Sequence, residues 1–497
     1  MAEHTTHRSI TGDDTAGAPA LRRGRLSTAS LVFIIIAASA PLTVLAGGIP
    51  TAFSVSGLLG APLAYVALGV ILVLFAVGYG RMSSRIQNSG AFYAYISEGL
   101  GNRQGIAAAI LALVSYNMMQ IGLYGMFGFS AAAAVSGWTG LDVPWWVAGA
   151  TGWVIVAVLG VNKIDLSAKV IGVLVVLEFL VVIAVSGLSL GHAPEGITAQ
   201  GLLPDQFFTA GIGVLLAFSI AAFMGFESGA IYSEETRDPE RTVPRATYIA
   251  VGVIAVFYAF SAWALATGVG PGKVIEEATT YGPDLVFVWL AERSPVLSDI
   301  ATVLFVTSLI AALLAFHNAA ARYFFSLGRA GVIPRVFARS GTNGAPVAGS
   351  LTQSALSLLV VAVFAVAGLG SDLGDLYPVL TLFTWLTNAA AFGLVFLLTV
   401  TGVAILVWSS RQKDGAGVFT RVVAPLVSSI GLAVVAVLIL ANFDLMIDGA
   451  GPEWLVYVMP GVIIATGLGS LVWGEVLRRI RPATYAALQD NLDQVPD

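Results

Sequence analysis

Cysteine is absent from all 497 residues, which excludes disulfides, thiolate nucleophiles and Cys-based metal centres. Histidine is almost as scarce, and His4, His7, His192 and His317 are too scattered to suggest a metal cluster by spacing. Charge is also in short supply. Asp, Glu, Lys and Arg together make up 11% of the chain, against about 25% in soluble domains, so ordinary aqueous solvation of its surface is not available. No long polar linker interrupts the sequence, and no sizeable soluble output domain of the kind a sensor carries is present. Neither a G-x-x-x-x-G-K-[ST] loop nor an H-E-x-x-H pair occurs, which argues against ATP-driven pumping and against an intramembrane metalloenzyme. Basic residues follow no nucleic-acid-binding pattern.

What the chain has in abundance is apolar sequence. Hydrophobic residues make up 57%, and the mean hydropathy is +0.87. Runs of roughly 20 apolar residues recur, the length one helix needs to cross hydrocarbon. They predict an all-α polytopic membrane protein with twelve spans near 29–54, 58–79, 105–136, 144–160, 168–190, 208–233, 245–268, 299–327, 348–369, 377–408, 422–442 and 454–475. Residues 1–24 read as a disordered cytoplasmic tail, 25–480 as one membrane domain and 481–497 as a second cytoplasmic tail. The run after Arg22-Arg23-Gly24-Arg25 is too long for a signal peptide and shows no clear cleavage site.

Cations test this topology. With the N-terminus inside, 22 of the 24 Lys and Arg residues fall on one side, and only Lys273 and Arg293 lie opposite. The positive-inside rule then places both termini in the cytoplasm of a cytoplasmic-membrane protein. A missed or extra span would have flipped half of the loops and erased the bias.

Two spans carry interruptions: Ala46-Gly47-Gly48-Ile49-Pro50 in the first and Phe223-Met224-Gly225-Phe226-Glu227-Ser228-Gly229 in the sixth. Unpaired backbone in hydrocarbon costs several kcal/mol per group unless it lines a polar cavity. Glycine pairs also occur at tight helix crossings, and Gly47-Gly48 alone would read that way. Two breaks five spans apart, in helices running in opposite directions, point instead to a transporter with its site at the interface of inverted repeats. Half-helix ends would offer N–H groups to a carboxylate and carbonyls to an ammonium.

The segments Phe223-Met224-Gly225-Phe226-Glu227, Ser233-Glu234-Glu235-Thr236-Arg237-Asp238-Pro239 and Arg241-Thr242-Val243-Pro244-Arg245-Ala246 resemble the sixth-helix signature of the amino acid–polyamine–organocation (APC) family. Asn88-Ser89-Gly90-Ala91-Phe92-Tyr93-Ala94-Tyr95 is similar to that family's loop after helix 2, and Arg329-Ala330-Gly331-Val332-Ile333-Pro334 to its loop after helix 8. The resemblance covers about 25–480. It implies a LeuT-like 5+5 inverted repeat, with repeats at about 29–190 and 208–408 and two extra helices at about 422–475, working by alternating access. It also implies a substrate site. Backbone around Gly47 and Gly48, with Thr43 and Ala46 beside them, should take a carboxylate. Carbonyls around Phe223, Met224 and Gly225 should take an amine, and Asn117, Gln120 and Phe316 should approach the substrate. Some members carry an aromatic gate near Ala221; here that role would pass to Phe218, Phe223 or Phe226.

Charged residues complete the reading. Glu178 sits mid-span among apolar neighbours, where an ionisable group must face the bundle interior. A proton-carrying role and a structural hydrogen bond are equally open for it. Glu227 is read as gating the pathway or holding the unwound segment. Glu234, Glu235, Arg237, Asp238, Glu240 and Arg241 form a mixed-charge loop that is either solvated surface or a source of ion pairs closing the inner gate, with Glu235 and Arg241 as the candidates to neutralise. No cofactor or metal is expected. Span 8 lacks hydroxyls over Ala311-Ala312-Leu313-Leu314-Ala315, with Thr307 and Ser308 a turn earlier, which disfavours sodium coupling and leaves proton symport first and exchange second. The expected partner besides lipid is a small amino acid substrate, with an amine or polyamine as the alternative.

Overall fold

The computed structural model describes residues 24–86, 91–162, 164–341, 344–412, 415–447 and 452–486. Asn88-Ser89-Gly90, Lys163, Lys413 and Asp448 lie outside this set, as do 1–23 and 487–497, which hold most of the two tails. Among the described residues the structure is helical, with a single isolated parallel bridge between Leu26 and Thr236.

Among the described residues, eleven helices are long and apolar enough to cross a membrane. In chain order with one shorter helix they are α1 (Thr28–Ser56), α2 (Ala61–Ser83), α3 (Asn102–Thr139), α4 (Trp145–Gly160), α5 (Ile164–Gly191) and α6 (Ile212–Glu235). They continue with α7 (Pro239–Val269), α8 (Pro295–Arg329), α9 (Val347–Ala367), α10 (Gly374–Arg411), α11 (Phe419–Ala441) and α12 (Leu455–Ile480). The short one is α4. Its 16 residues reach about 24 Å, less than the roughly 30 Å of a hydrocarbon core. It nevertheless links two levels of the bundle: a Cβ at Gly128 of α3 would meet Trp145 at the start of α4, and one at Gly160 would meet His317 and Ser350 at its end.

Burial sorts the helices into an enclosed centre and a lipid-facing periphery. The most apolar window of α6 is 89% buried, whereas those of α9 and α12 are 22% buried. The helix with the most interrupted backbone is thus the most enclosed, as expected where hydrocarbon cannot satisfy free polar groups. Close crossings depend on glycine. A Cβ at Gly69 of α2 would strike Ala255 of α7, and one at Gly125 of α3 would strike the Pro378 carbonyl, with Phe383 N at 3.0 Å.

The cation-rich ends gather on one face. Arg81 at the end of α2 bonds Ser409 near the end of α10 and lies over Trp408. Asn102 at the start of α3 donates to the Tyr485 carbonyl beyond α12. Gly24 to Leu26 pair with Glu235 and Arg237 at the end of α6. At the other end of the bundle, Trp138 closing α3 donates to Asp299 opening α8.

Gly125→Val should overpack the α3–α10 crossing at a cost of about 1–3 kcal/mol. The expected result is a melting temperature several degrees lower in detergent, measured against Gly137→Val, where a Cβ meets nothing within 4 Å.

Candidate functional site

The chain breaks α1 at a proline, although not at the one near the glycine pair. The first helical stretch, Thr28–Ser39, ends at Ala40, which has φ +49°. Pro41 has no N–H and disfavours helical geometry in the residue before it. Ala40 therefore swings into the left-handed region, at a steric cost of roughly 1–2 kcal/mol. Its N–H is shared between the Ile36 and Ala37 carbonyls.

The expected break over Ala46–Pro50 is corrected accordingly. Val44–Gly48 forms one π turn in which Ile49 N–H bonds Val44 O, and the chain continues helically to Ser56. Widening the turn by one residue accommodates Pro50 without ending the helix. Gly47 is buried, yet a Cβ added there would meet no atom within 4 Å, so this face of the turn borders open space.

The second break lies inside the interval expected for it. A 3-10 turn, Ile220–Phe223, gives way to Met224 with ψ 134° and Gly225 with φ +99°, and a longer 3-10 run, Phe226–Glu235, follows. Gly225 is required twice over. Its φ is one that side chains rarely adopt, and a Cβ there would press on Ala38 of α1 and come within 3.6 Å of Phe316 on α8. The two breaks therefore lie side by side, joined by the Ser39 hydroxyl, which donates to Ala222 O at 2.7 Å.

Glu227 holds the α6 break together. Its carboxylate accepts from Gly225 N–H at 3.0 Å and from the Tyr116 hydroxyl at 2.6 Å, and its carbonyl accepts from Tyr79 of α2. Glu178 does the same for α1. One oxygen accepts from Ser308 of α8 at 2.7 Å and from Leu42 N–H, just past the break, at 3.4 Å. Its other oxygen is buried with no hydrogen-bond partner.

The remaining sequence-derived positions divide. Phe223, Met224, Gly225 and Phe316 surround the α6 break and are buried. Phe223 packs near Tyr65, and Phe226 meets Phe75 edge-on. Phe218 is half-buried. Thr43 follows the α1 break directly and has an enclosed hydroxyl without a partner; Ala46, Gly47 and Gly48 lie one to two turns beyond it. Asn117 and Gln120 do not act as a pair: Asn117 donates back to Leu113 O of its own helix, and Gln120 accepts from Gln353 of α9. His317 bonds Ser350 of α9, and Asn388 bonds the Met446 carbonyl, so both serve helix contacts away from the breaks.

Of the two residues singled out for inner-gate ion pairs, Glu235 is in a buried pair and Arg241 is not. Glu235 forms a two-pronged pair with Arg322 of α8 at 2.6 and 3.0 Å, both side chains 2% exposed or less. Arg322 also lies over the Tyr232 ring, 4.4 Å from its centroid, and donates to Asn318 O. Arg241 sits in solvent, 3.9 Å from Asp238. The physical reason is position: Arg241 falls in the first turn of α7, outside the bundle, whereas Arg322 projects from α8 toward the end of α6.

Sequence reading missed Ser39, Tyr116, Tyr258 and Arg322 as site residues. The Ala40-Pro41 dipeptide was a usable signal for the first break, since a residue before proline is a probable helix boundary. A tyrosine hydroxyl deep in a span needs a partner, a signal that could have marked Tyr116 and Tyr258 without saying whose partners they are.

Two helices interrupted at Ala40 and Gly225 pack break to break among the long apolar helices of a polytopic membrane protein. The sequence profile described as "Amino acid permease" matches residues 30–480, and the chain belongs to that family. Among similar proteins, L-asparagine permease 1 of Mycobacterium tuberculosis is 25% identical over 61% of this chain and 63% of its own length. The chain thus spans less than two thirds of that relative. The lysine-specific permease LysP of Lactococcus lactis is 26% identical over 70% of this chain and 68% of its own. The aromatic amino acid transport protein AroP of Escherichia coli is 23% identical over 85% and 90% respectively.

A buried ion pair that loses one partner leaves a charge unpaired at a cost of about 3–5 kcal/mol. Glu235→Gln should therefore loosen this end of the bundle. With no native cysteine to interfere, Ser233→Cys provides the probe. Its reaction with a membrane-impermeant thiol reagent should accelerate at least about tenfold in the Glu235→Gln background and remain unchanged with Arg241→Gln.

Proposed function

We propose that the protein is a secondary active transporter that carries an amino acid across the cytoplasmic membrane by alternating access, with a proton as coupling ion. The observation that carries this reading is the side-by-side placement of the Ala40 and Gly225 breaks. A zwitterion suits a site where one helix resumes, with N–H groups directed at it, and another stops, with carbonyls exposed. The resumed end of α1 lies at Leu42 and Thr43, and since Leu42 N–H is held by Glu178, the carboxylate is assigned to the Thr43 hydroxyl, which has no other partner, rather than to Gly47 and Gly48. The amine is assigned to the carbonyls around Phe223 and Met224. Membership of the amino acid permease family supports the substrate class. The relatives' names, which speak of asparagine, lysine and aromatic amino acids, leave the side chain open.

Alternating access requires halves that can rock. We assign 29–190 and 208–408 as the inverted repeats and the two last helices as additions. Gathering of the cations on one face supports a cytoplasmic location for both ends of the membrane domain. The buried pair Glu235–Arg322, with Gly24–Leu26 strapped across the end of α6, then closes the cytoplasmic path.

Proton coupling rests on Glu178. Its carboxylate ties α5 to the resumed α1 and to α8, and protonation would weaken both charge-assisted bonds at once. Ser308, the hydroxyl that a sodium site would use, is already committed to Glu178. A second reading, an amine or polyamine carrier, draws on the same buried carboxylate, since an anionic site beside the α1 break would attract a cation.

Purified protein in liposomes, offered labelled amino acids and amines with and without a proton gradient, separates these readings. Gradient-driven uptake of an amino acid is expected. Glu178→Gln should abolish the stimulation by the gradient while leaving exchange against preloaded substrate. Uptake of amines alone, or uptake only against preloaded substrate in the unmodified protein, would replace the reading with an amine carrier or an obligate exchanger.

A further inference from the structure

A short relay of hydroxyls connects both breaks to α7, and neither the ion pairs nor the carboxylates described above account for it. Ser39 is the last residue of the first α1 stretch, 5% exposed. Its hydroxyl lies within hydrogen-bond distance of the Tyr258 hydroxyl and 2.7 Å from Ala222 O. A carbonyl can only accept, so the single Ser39 proton goes to Ala222 and the Tyr258 proton goes to Ser39. The Tyr258 hydroxyl also approaches Ser39 O at 3.5 Å, consistent with donation in that direction.

The acceptor at the end of this relay is one that the break creates. In a continuous helix Ala222 O would take the N–H four residues on, but Met224 and Gly225 turn the chain away first. An unpaired carbonyl at this depth is costly, and Ser39 supplies its partner from a helix 183 residues distant in sequence. A serine at a helix end commonly bonds back to its own backbone; this one reaches across. Tyr258 is fixed in turn by Tyr65, whose ring packs edge-on against it at 5.8 Å, and Tyr65 also flanks Phe223.

We propose that Ser39 and Tyr258 are positioning residues, which hold the α1 and α6 breaks in register so that their free backbone groups face one substrate. The relay touches no substrate itself; it fixes where the groups that do so lie. This inference rests on the transport reading for its functional arm and on geometry alone for its structural arm.

Hydrogen–deuterium exchange of the full chain, read on peptides covering 38–44 and 220–228, tests the geometry without any substrate. Ser39→Ala and Tyr258→Phe should each speed exchange in both peptides by about fivefold, although neither substitution lies in 220–228. The double variant should add little to either single one, because one relay is broken in each case. Ser39→Thr, which keeps the hydroxyl, should restore protection. Faster exchange only in the substituted segment, or none, would overturn the proposal. In liposomes, KM for the substrate identified with the unmodified protein should rise about five- to tenfold with Vmax within twofold. An equal KM in all variants would likewise overturn it. Absence of uptake by the unmodified protein would count against the transport reading and leave the exchange result to decide the relay.

Discussion

Inside hydrocarbon every backbone N–H and C=O must find a partner within the protein, and the centre of this structure is arranged around three groups that helical pairing leaves out. Ala40 N–H still bonds back into the preceding turn, divided between two of its carbonyls. Leu42 N–H finds the Glu178 carboxylate of α5, Gly225 N–H finds Glu227, and Ala222 O finds Ser39. These substitutes reach out in turn, to Ser308 on α8, Tyr116 on α3 and Tyr258 on α7. Satisfying two interruptions thus recruits most of the central helices.

Charge follows the same logic of desolvation. Glu235 and Arg322 survive burial because their geometry is two-pronged and because Tyr232 and the Asn318 carbonyl complete the guanidinium's surroundings. Arg241 and Asp238, a few residues away but in solvent, have little to gain from pairing. Between these extremes stands Glu178, buried with one oxygen engaged and one without a partner. A carboxyl so placed can hold or release a proton without dismantling a strong ion pair.

Much of the architecture was legible in the sequence because the bilayer allows so few solutions. Long apolar runs must be helices, and most cations lie at their ends, so the spans and the face on which cations gather could be read from composition along the chain. The shortfall at α4 has the same origin: its apolar run is simply shorter. The α6 break was legible because Gly225 and Glu227 are both anomalous at that depth. The α1 break was misplaced because a glycine pair beside a proline looks weaker than an Ala-Pro step, whereas a π turn absorbs the former and the ring of Pro41 enforces the latter.

The sequence by itself determined that the chain crosses a membrane repeatedly, which ends share a face, and that the first and sixth of its long helices are interrupted. Those properties depend on local transfer energies and on short-range backbone sterics, which neighbouring residues set. Tertiary structure alone decided which groups meet: Glu235 with Arg322, Gln120 with Gln353, and Ser39 with Ala222 and Tyr258. Such pairings depend on helix rotation and crossing, where a few degrees or a single residue of register exchanges one partner for another, and no local pattern in the chain encodes that choice.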